Sequence, residues 1–167
     1  MYTHAQKKRG FSLVEVLVYL AVLILVVSVS ISTYLSLNTV LLRNKTERTL
    51  TNAAHVALER VVRDIRNSST VNTGLSTLGS SPGVLTLDSG TTTQFQLSGD
   101  SVAVSVNGTE LGPLTGPNVT VDELIFYRYL GLTTELVRVK LTLSVSTKAA
   151  SSTRTFYSSA VLRGSYE

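Results

Sequence analysis

One acidic residue, Glu15, lies near the start of a long apolar run, and its position raises the chemical question of this sequence. It is the only charged residue between positions 11 and 37. A carboxylate at the centre of a bilayer costs about 2.5–3.5 kcal/mol, and less towards either end. A lone buried charge costs much more than a paired one. Because Glu15 is near an end of the run, its carboxylate could also reach the headgroups, so the cost alone does not decide whether it has a partner. Basic residues, a glycine and an aromatic residue precede it: Lys7, Lys8, Arg9, Gly10 and Phe11.

The apolar run has the length of a membrane span. As a helix, residues 11–37 would extend over roughly 40 Å, and the hydrocarbon core of a bilayer is about 30 Å thick. The basic cluster before the run predicts a cytoplasmic N-terminus, with the remaining chain outside the cytoplasm. A secretory signal peptide has a shorter apolar region ending in a small-residue cleavage site, and no Ala-x-Ala follows here. A single-span membrane-anchored binding domain that forms no filament explains the hydrophobicity but not Glu15.

The residues around Glu15 resemble the signal of the type IV pilin superfamily. The segment KKRGFSLVE, residues 7–15, has a basic leader ending in glycine, then phenylalanine, aliphatic residues and a glutamate. Serine at position 12 replaces the commoner threonine. The resemblance implies that a prepilin peptidase recognises Lys7, Lys8 and Arg9, cuts between Gly10 and Phe11, and methylates the new amine of Phe11.

That processing would give Glu15 a partner. Gly10 has no side chain, so its backbone can enter a narrow protease site. Cleavage creates a positive amine at Phe11, and in a filament Glu15 can pair with the Phe11 amine of a neighbouring subunit. A subunit docked at the wrong height would leave both charges unpaired. The resemblance therefore implies that Phe11 and Glu15 set the register of assembly.

Composition limits the other classes of function. The chain of 167 residues has no cysteine, so disulfides, thiolate metal sites and cysteine nucleophiles are excluded. Its net charge is +4, but the three leader cations leave only about +1 for the remainder. Its pI near 9.5 is therefore no sign of a nucleic-acid surface, and no nucleic-acid partner is expected.

Helical periodicity continues beyond the apolar run. No glycine or proline occurs between positions 11 and 73, so a helix can run from residue 11 to about 68. Its second half carries an apolar stripe with three- and four-residue spacing, which predicts packing on the head domain. Two charge pairs at four-residue spacing, Glu59 with Arg63 and Arg60 with Asp64, are expected on its exposed face. The stripe consists of Leu50, Ala53, Ala54, Ala57, Leu58, Val61 and Ile65.

The period changes to two after a loop over residues 67–83, which indicates strands. Strands are predicted over 84–87, 94–98, 102–106, 124–129, 136–145 and 154–162, with turns at Gly99-Asp100 and Asn107-Gly108 and a loop over 113–120. The predicted fold class is α+β, a long N-terminal helix packed on an antiparallel β-sheet head. The expected domains are a leader (1–10), a transmembrane and filament-core helix (11–37), an amphipathic stalk helix (38–68) and an extracytoplasmic β-rich head (69–167).

Two further segments resemble the J-type minor pseudopilins of type II secretion and their minor pilin relatives: ALERVVRDIRNSS (57–69) and TFYSSAVLRG (155–164). The resemblance implies a structural subunit of a type IV pilus-like or type II secretion filament. Its partners would be prepilin peptidase, other pilin or pseudopilin subunits, an inner-membrane assembly platform and membrane lipid. The protein would first be a single-pass protein of the cytoplasmic membrane, then part of a periplasmic or cell-surface filament. Minor pilins often carry cysteines in the head, so their absence favours the pseudopilin branch.

No catalytic pattern is present in the sequence, and no enzyme activity is predicted. The chain has no Gly-x-Ser-x-Gly motif and no phosphate-binding glycine loop. Its two histidines, His4 and His55, lack the spacing of a zinc site, so no metal or cofactor is expected. The adjacent acids Asp122 and Glu123 could contribute to a calcium site, but a solvated strand edge is the favoured interpretation. Three strand tyrosines are expected on a sheet face or in the core: Tyr127, Tyr129 and Tyr157.

Overall fold

The computed structural model describes residues 12–132, 134–146 and 151–163. One long helix, α1 (Leu13–Asn67), is followed by strands that form two antiparallel sheets. The α+β class, with a long N-terminal helix and an antiparallel β region in a pilin-like arrangement, is confirmed. The strands are β1 (Thr70–Val71), β2 (Leu85–Asp88), β3 (Thr92–Ser98), β4 (Ser101–Val106), β5 (Thr109–Pro113), β6 (Thr120–Leu130), β7 (Glu135–Ser146) and β8 (Ser151–Val161).

The chain divides into two compact units, residues 1–41 and 42–167. In the first unit, residues 13–41 are helical, and every side chain from 12 to 41 is exposed. Nothing in the described chain covers these apolar side chains. By length and composition, α1 is able to cross a membrane.

The helix ends one residue before the predicted position. After Asn67, the Ser68 hydroxyl donates to the Asp64 carbonyl at 2.5 Å, and the Ser68 amide donates to the Ile65 carbonyl at 3.1 Å. These bonds satisfy carbonyls that the last turn of a helix leaves without partners. Because Ser68 is itself buried, the end of the helix is fixed within the second unit.

The predicted apolar stripe forms the centre of the second unit. Buried side chains begin at Thr46 and recur at three- and four-residue spacing along α1, with Ala53 and Leu58 partly buried against the core. They pack in one core with side chains from both sheets, so the prediction that this stripe packs on the head is confirmed. Its fully buried members are Leu50, Ala54, Ala57, Val61 and Ile65.

The first sheet has the order β1-β2-β3-β4-β5. Both predicted turns are present. Gly99, with φ 57°, starts the β3–β4 turn, and Asn107 and Gly108 form the β4–β5 turn with φ values of 50° and 79°. Positive φ at both central residues is what a tight Asn-Gly hairpin requires. Strands β1 and β5 were not predicted, and the first lies in the predicted loop over 67–83.

The second sheet has the order β6-β7-β8 and long strands. In β7, five alternate residues are buried in the core, while the residues between them lie on the outer face. The register shifts between Val121 and Glu123, where β6 bulges and brings Asp122 and Glu123 together opposite β7. Strands β6 and β7 extend beyond both of their predicted limits, which were 124–129 and 136–145. Strand β8 begins three residues before its predicted range of 154–162 and ends one residue before the end of that range.

The segment between β1 and β2 covers the open edge of β6. The Gly79 amide donates to the Phe126 carbonyl and the Gly83 amide to the Leu124 carbonyl, both at 2.8 Å. An unpaired strand edge invites pairing with other chains. These two bonds therefore protect β6 and also join the first sheet's connection to the second sheet.

One ion pair connects the helix to the second sheet, and others lie within the helix. The Glu47 carboxylate lies 3.6 Å from Arg43 and 3.2 Å from Arg154, which is on β8. The predicted pair of Arg60 with Asp64 forms at 2.8 Å. The predicted pair of Glu59 with Arg63 was wrong, because Arg63 lies 3.8 Å from the carboxylate of Asp64, its neighbour along the chain.

Replacing Gly83 with alanine should destabilise the second unit. A Cβ at this position would lie 2.8 Å from the Leu124 carbonyl oxygen and 3.1 Å from the Phe126 ring. Such overpacking costs about 1–3 kcal/mol, which lowers Tm by about 2–4 °C per kcal/mol in a chain of this size. Thermal unfolding of the purified full-length protein in detergent measures the effect. Gly116→Ala is the matched control, since nothing lies within 4 Å of its added Cβ; an equal Tm for the two variants would contradict the close approach.

Candidate functional site at the start of the apolar helix

The structure describes only part of the predicted assembly site. Glu15 lies in the first turn of α1. The leader cations Lys7, Lys8 and Arg9, the cleavage residue Gly10 and the methylation residue Phe11 are outside the described residues. The contact between a Phe11 amine and Glu15 therefore stays a prediction.

The start of α1 is suited to a negative charge. The Val16 amide donates to the Ser12 carbonyl at 3.2 Å, so Ser12 precedes the first helical residue, Leu13. The first turn of a helix carries a partial positive charge from its unpaired amides. A carboxylate at Glu15 complements that charge, which reduces the cost of placing it in an apolar run.

Glu15 has a hydrogen-bond partner that the sequence analysis missed. The Tyr19 hydroxyl donates to Glu15 Oε1 at 3.3 Å from one turn further along α1. Residues four apart lie on the same face of a helix, so the spacing of Glu15 and Tyr19 was the available signal. A tyrosine in a predicted membrane span had given no reason to look for a carboxylate partner.

Hydroxyl groups in the later part of the run bond within the helix. Each donates to the carbonyl four residues earlier, at distances between 2.8 and 3.0 Å. Because these hydroxyls have internal partners, hydrocarbon around them would leave no donor unsatisfied. Residues 28–32, which contain three of these serines, are helical throughout. The residues that carry these hydroxyls are Ser28, Ser30, Ser32, Thr33 and Thr39.

The acidic pair on β6 is bound by protein donors. The Lys140 ammonium lies 2.7 Å from Glu123 Oε2, and the Ser144 hydroxyl donates to Asp122 at 2.9 Å. The hydrogen bond from Lys140 lowers the pKa of Glu123, and the same bond raises the pKa of Lys140. A cation at this pair would face the charge of Lys140. The described residues contain no group of three potential metal-ligating acids or histidines.

The remaining candidates lie on the surface. Tyr127, Tyr129 and Tyr157 share the outer face of the second sheet, as the sheet-face prediction required, and the Arg138 guanidinium lies 4.8 Å from the centre of the Tyr157 ring. His55 is exposed on α1. An arginine stacked on a tyrosine is stabilising, so Arg138 and Tyr157 contribute to the pairing of β7 with β8 on this face.

Comparison with known families identifies the N-terminal segment. Residues 5–31 match the prokaryotic N-terminal methylation motif, and this range includes the basic cluster, Gly10, Phe11 and Glu15. The match supports a type IV pilin-like prepilin, a structural rather than a catalytic class of protein. No curated protein and no solved structure matches the chain.

Replacing Lys140 with glutamine should reduce the loss of stability on acidification. With its folded-state pKa lowered, Glu123 contributes stability that is fully present above its ordinary value of 4.5 and is lost as the pH falls through the lowered value. Without Lys140 the contribution is smaller, so unfolding should depend less on pH below 4.5.

Denaturant midpoints of the full-length protein between about pH 7 and pH 3 provide the measurement, since this range begins above the ordinary pKa of a glutamate and continues below it. Lys45→Gln is the control, because it makes the same charge change at an exposed lysine that forms no ion pair among the described residues. Parallel pH profiles for Lys140→Gln and the unchanged protein would show that the pair is not stabilising.

Proposed function

We propose that this protein is a prepilin that is cut after Gly10, methylated on Phe11, and assembled through its N-terminal helix. The product is a minor pilin or pseudopilin of a type IV pilus-like or type II secretion filament. The observation that carries the proposal is a single carboxylate, Glu15, in an exposed apolar helix that matches the methylation motif. The function is assembly, with no catalytic step.

The exposed helix supports assembly through apolar contacts. Every side chain from residue 12 to 41 is exposed, and most are large and apolar. A soluble protein rarely leaves so much continuous apolar surface uncovered. Lipid covers these side chains in the free subunit, and the helices of neighbouring subunits cover them in the filament.

A charge pair supplies the specificity that apolar contacts lack. Aliphatic side chains pack almost equally well at several relative heights of two helices, whereas an amine and a carboxylate meet at only one. The amine of processed Phe11 binds Glu15 of the adjacent subunit. Misplaced subunits keep an unpaired buried charge, which is destabilising by several kcal/mol.

Proteins of the cytoplasmic membrane process and assemble the subunit. Prepilin peptidase processes the leader at the cytoplasmic face, an assembly platform in the inner membrane receives the subunit, and other pilins or pseudopilins surround it. The head faces away from the cytoplasm. Because residues 57–69 and 155–164 resemble the J-type minor pseudopilins, we assign the protein to the minor subunits. In this role it would lie at the filament tip and help to initiate assembly.

Processing by the peptidase is the decisive test. The mature chain, purified from cells that contain the prepilin peptidase, should begin at N-methylated Phe11, while cells without the peptidase should retain the leader. Intact-mass and N-terminal peptide mass spectrometry distinguish these forms. A chain that keeps Met1 in both cells would favour the single-span anchored domain, which forms no filament.

Replacing Glu15 with alanine should block assembly but not processing. The variant keeps Gly10, Phe11 and the apolar run, so insertion and cleavage continue. The Phe11 amine would then lack a carboxylate partner on the adjacent subunit. The fraction of the protein in sheared filaments should therefore fall by about tenfold or more. Glu59→Ala is the control, since Glu59 is an exposed glutamate of the same helix. Normal incorporation of the Glu15 variant would refute the register role.

A further inference from the structure

We propose that Tyr19 is a positioning residue for Glu15, a role that rests on the proposed function. Its hydroxyl holds the carboxylate at the depth where the amine of the neighbouring subunit arrives. The hydrogen bond between Tyr19 Oη and Glu15 Oε1, at 3.3 Å, is the observation from which this follows. Tyr19 thereby fixes the position of the Glu15 carboxylate before any partner subunit is present.

Inside a membrane, the Tyr19 hydroxyl needs an acceptor and the Glu15 carboxylate needs a donor. Tyr19 lies eight residues beyond Phe11, which is about 12 Å along a helix. A hydroxyl at that depth has little access to water, and an unsatisfied polar group in hydrocarbon is costly. Glu15 is the only acidic residue within one turn of Tyr19, so their bond satisfies a donor and an acceptor together.

The direction of this bond determines where the carboxylate lies. Alone, a glutamate near the end of a span can extend towards the headgroups, as other long polar side chains do. Tyr19 follows Glu15 by one turn and donates from the side of the bilayer centre. The bond therefore opposes movement towards the headgroups and keeps the carboxylate beside the helix.

The hydrogen bond from Tyr19 leaves acceptor positions on the Glu15 carboxylate for the Phe11 amine of the neighbouring subunit. An ionised carboxylate has two oxygens and about four acceptor positions. Tyr19 uses one position on Oε1 and leaves Oε2 without a hydrogen bond to any described residue. The Phe11 amine of the next subunit can thus bind the same carboxylate without displacing the tyrosine.

The chain offers a matched control for the hydroxyl. Tyr34 is on the same helix and is 70% exposed, while Tyr19 is 59% exposed. Tyr34 forms no hydrogen bond through its hydroxyl to any described residue, whereas Tyr19 bonds Glu15. Tyr19→Phe and Tyr34→Phe each remove one oxygen and leave the ring, so any difference between them reports the bond to Glu15.

The experiment is a double-mutant cycle on the full-length protein in its own cells, with the peptidase and partner subunits present. Tyr19→Phe, Tyr34→Phe, Glu15→Ala and the combination of Tyr19→Phe with Glu15→Ala are compared. The fraction in sheared filaments is measured by immunoblot, and processing by mass spectrometry. Tyr19→Phe should lower the filament fraction by about two- to tenfold, the range for one hydrogen bond of ordinary net strength.

Tyr34→Phe should assemble normally, and Tyr19→Phe should have no additional effect once Glu15 is alanine. All variants should be cut after Gly10. If Tyr19→Phe assembles like Tyr34→Phe while Glu15→Ala does not assemble, the positioning role is wrong and the proposed function stands. An equal loss from Tyr19→Phe in the Glu15→Ala background would also overturn it. If Glu15→Ala assembles normally or the leader is retained, the proposed function itself fails.

Infrared spectroscopy separates positioning from a general effect on packing. The carboxylate stretching band that Glu15→Gln removes from protein in phospholipid vesicles belongs to Glu15. Loss of the tyrosine donor should shift this band in Tyr19→Phe and leave it in place in Tyr34→Phe. An unshifted band in Tyr19→Phe would show that the hydroxyl does not bind the carboxylate in a membrane.

Discussion

The second unit depends on the contact of one helical stripe with two separate sheets. Neither sheet is closed, and each has one face that must be covered. Leu50, Ala57, Val61 and Ile65 lie in the same core as Phe95 of the first sheet and Phe126 of the second. Two small residues, Ala54 and Ala57, are buried between the larger residues of the stripe. Outside this stripe, the two sheets are joined by the β6 edge bonds, by the hydrogen bond from the Val121 amide to the Asp100 carbonyl, and by contacts of β6 with β3 and β4.

The sequence predicts those features that depend on local pattern. The absence of glycine and proline up to position 73 predicted the helix, and Asn107-Gly108 predicted a turn that needs two positive φ values. Strands β1 and β5 escaped prediction because they are short and lack an alternating apolar pattern. The division into two sheets is a matter of long-range pairing, which alternation along a strand does not encode.

In the candidate site too, some residues could be predicted from local sequence pattern and others could not. Glu15 was identified from sequence because one charge in an apolar run is conspicuous, and it lies within the residues that match the methylation motif. Tyr19 was not predicted, because a tyrosine in such a run is not unusual. Only the structure shows that its side chain reaches the Glu15 carboxylate. The bond between Ser144 and Asp122 depends on the bulge in β6, and the position of a bulge could not be inferred from the strand pattern.

The serine and threonine hydroxyls of α1 have a consequence for the proposed transfer of the helix from the membrane into a filament. Each of Ser28, Ser30, Ser32, Thr33 and Thr39 has its acceptor on its own helix, so the bonds travel with the chain. Such a helix is not fixed at one height by these groups. It can be drawn along the bilayer normal, from lipid into a column of other helices, without breaking a hydrogen bond at any of these positions. In the proposed filament, the apolar residues around these hydroxyls exchange one apolar surrounding for another.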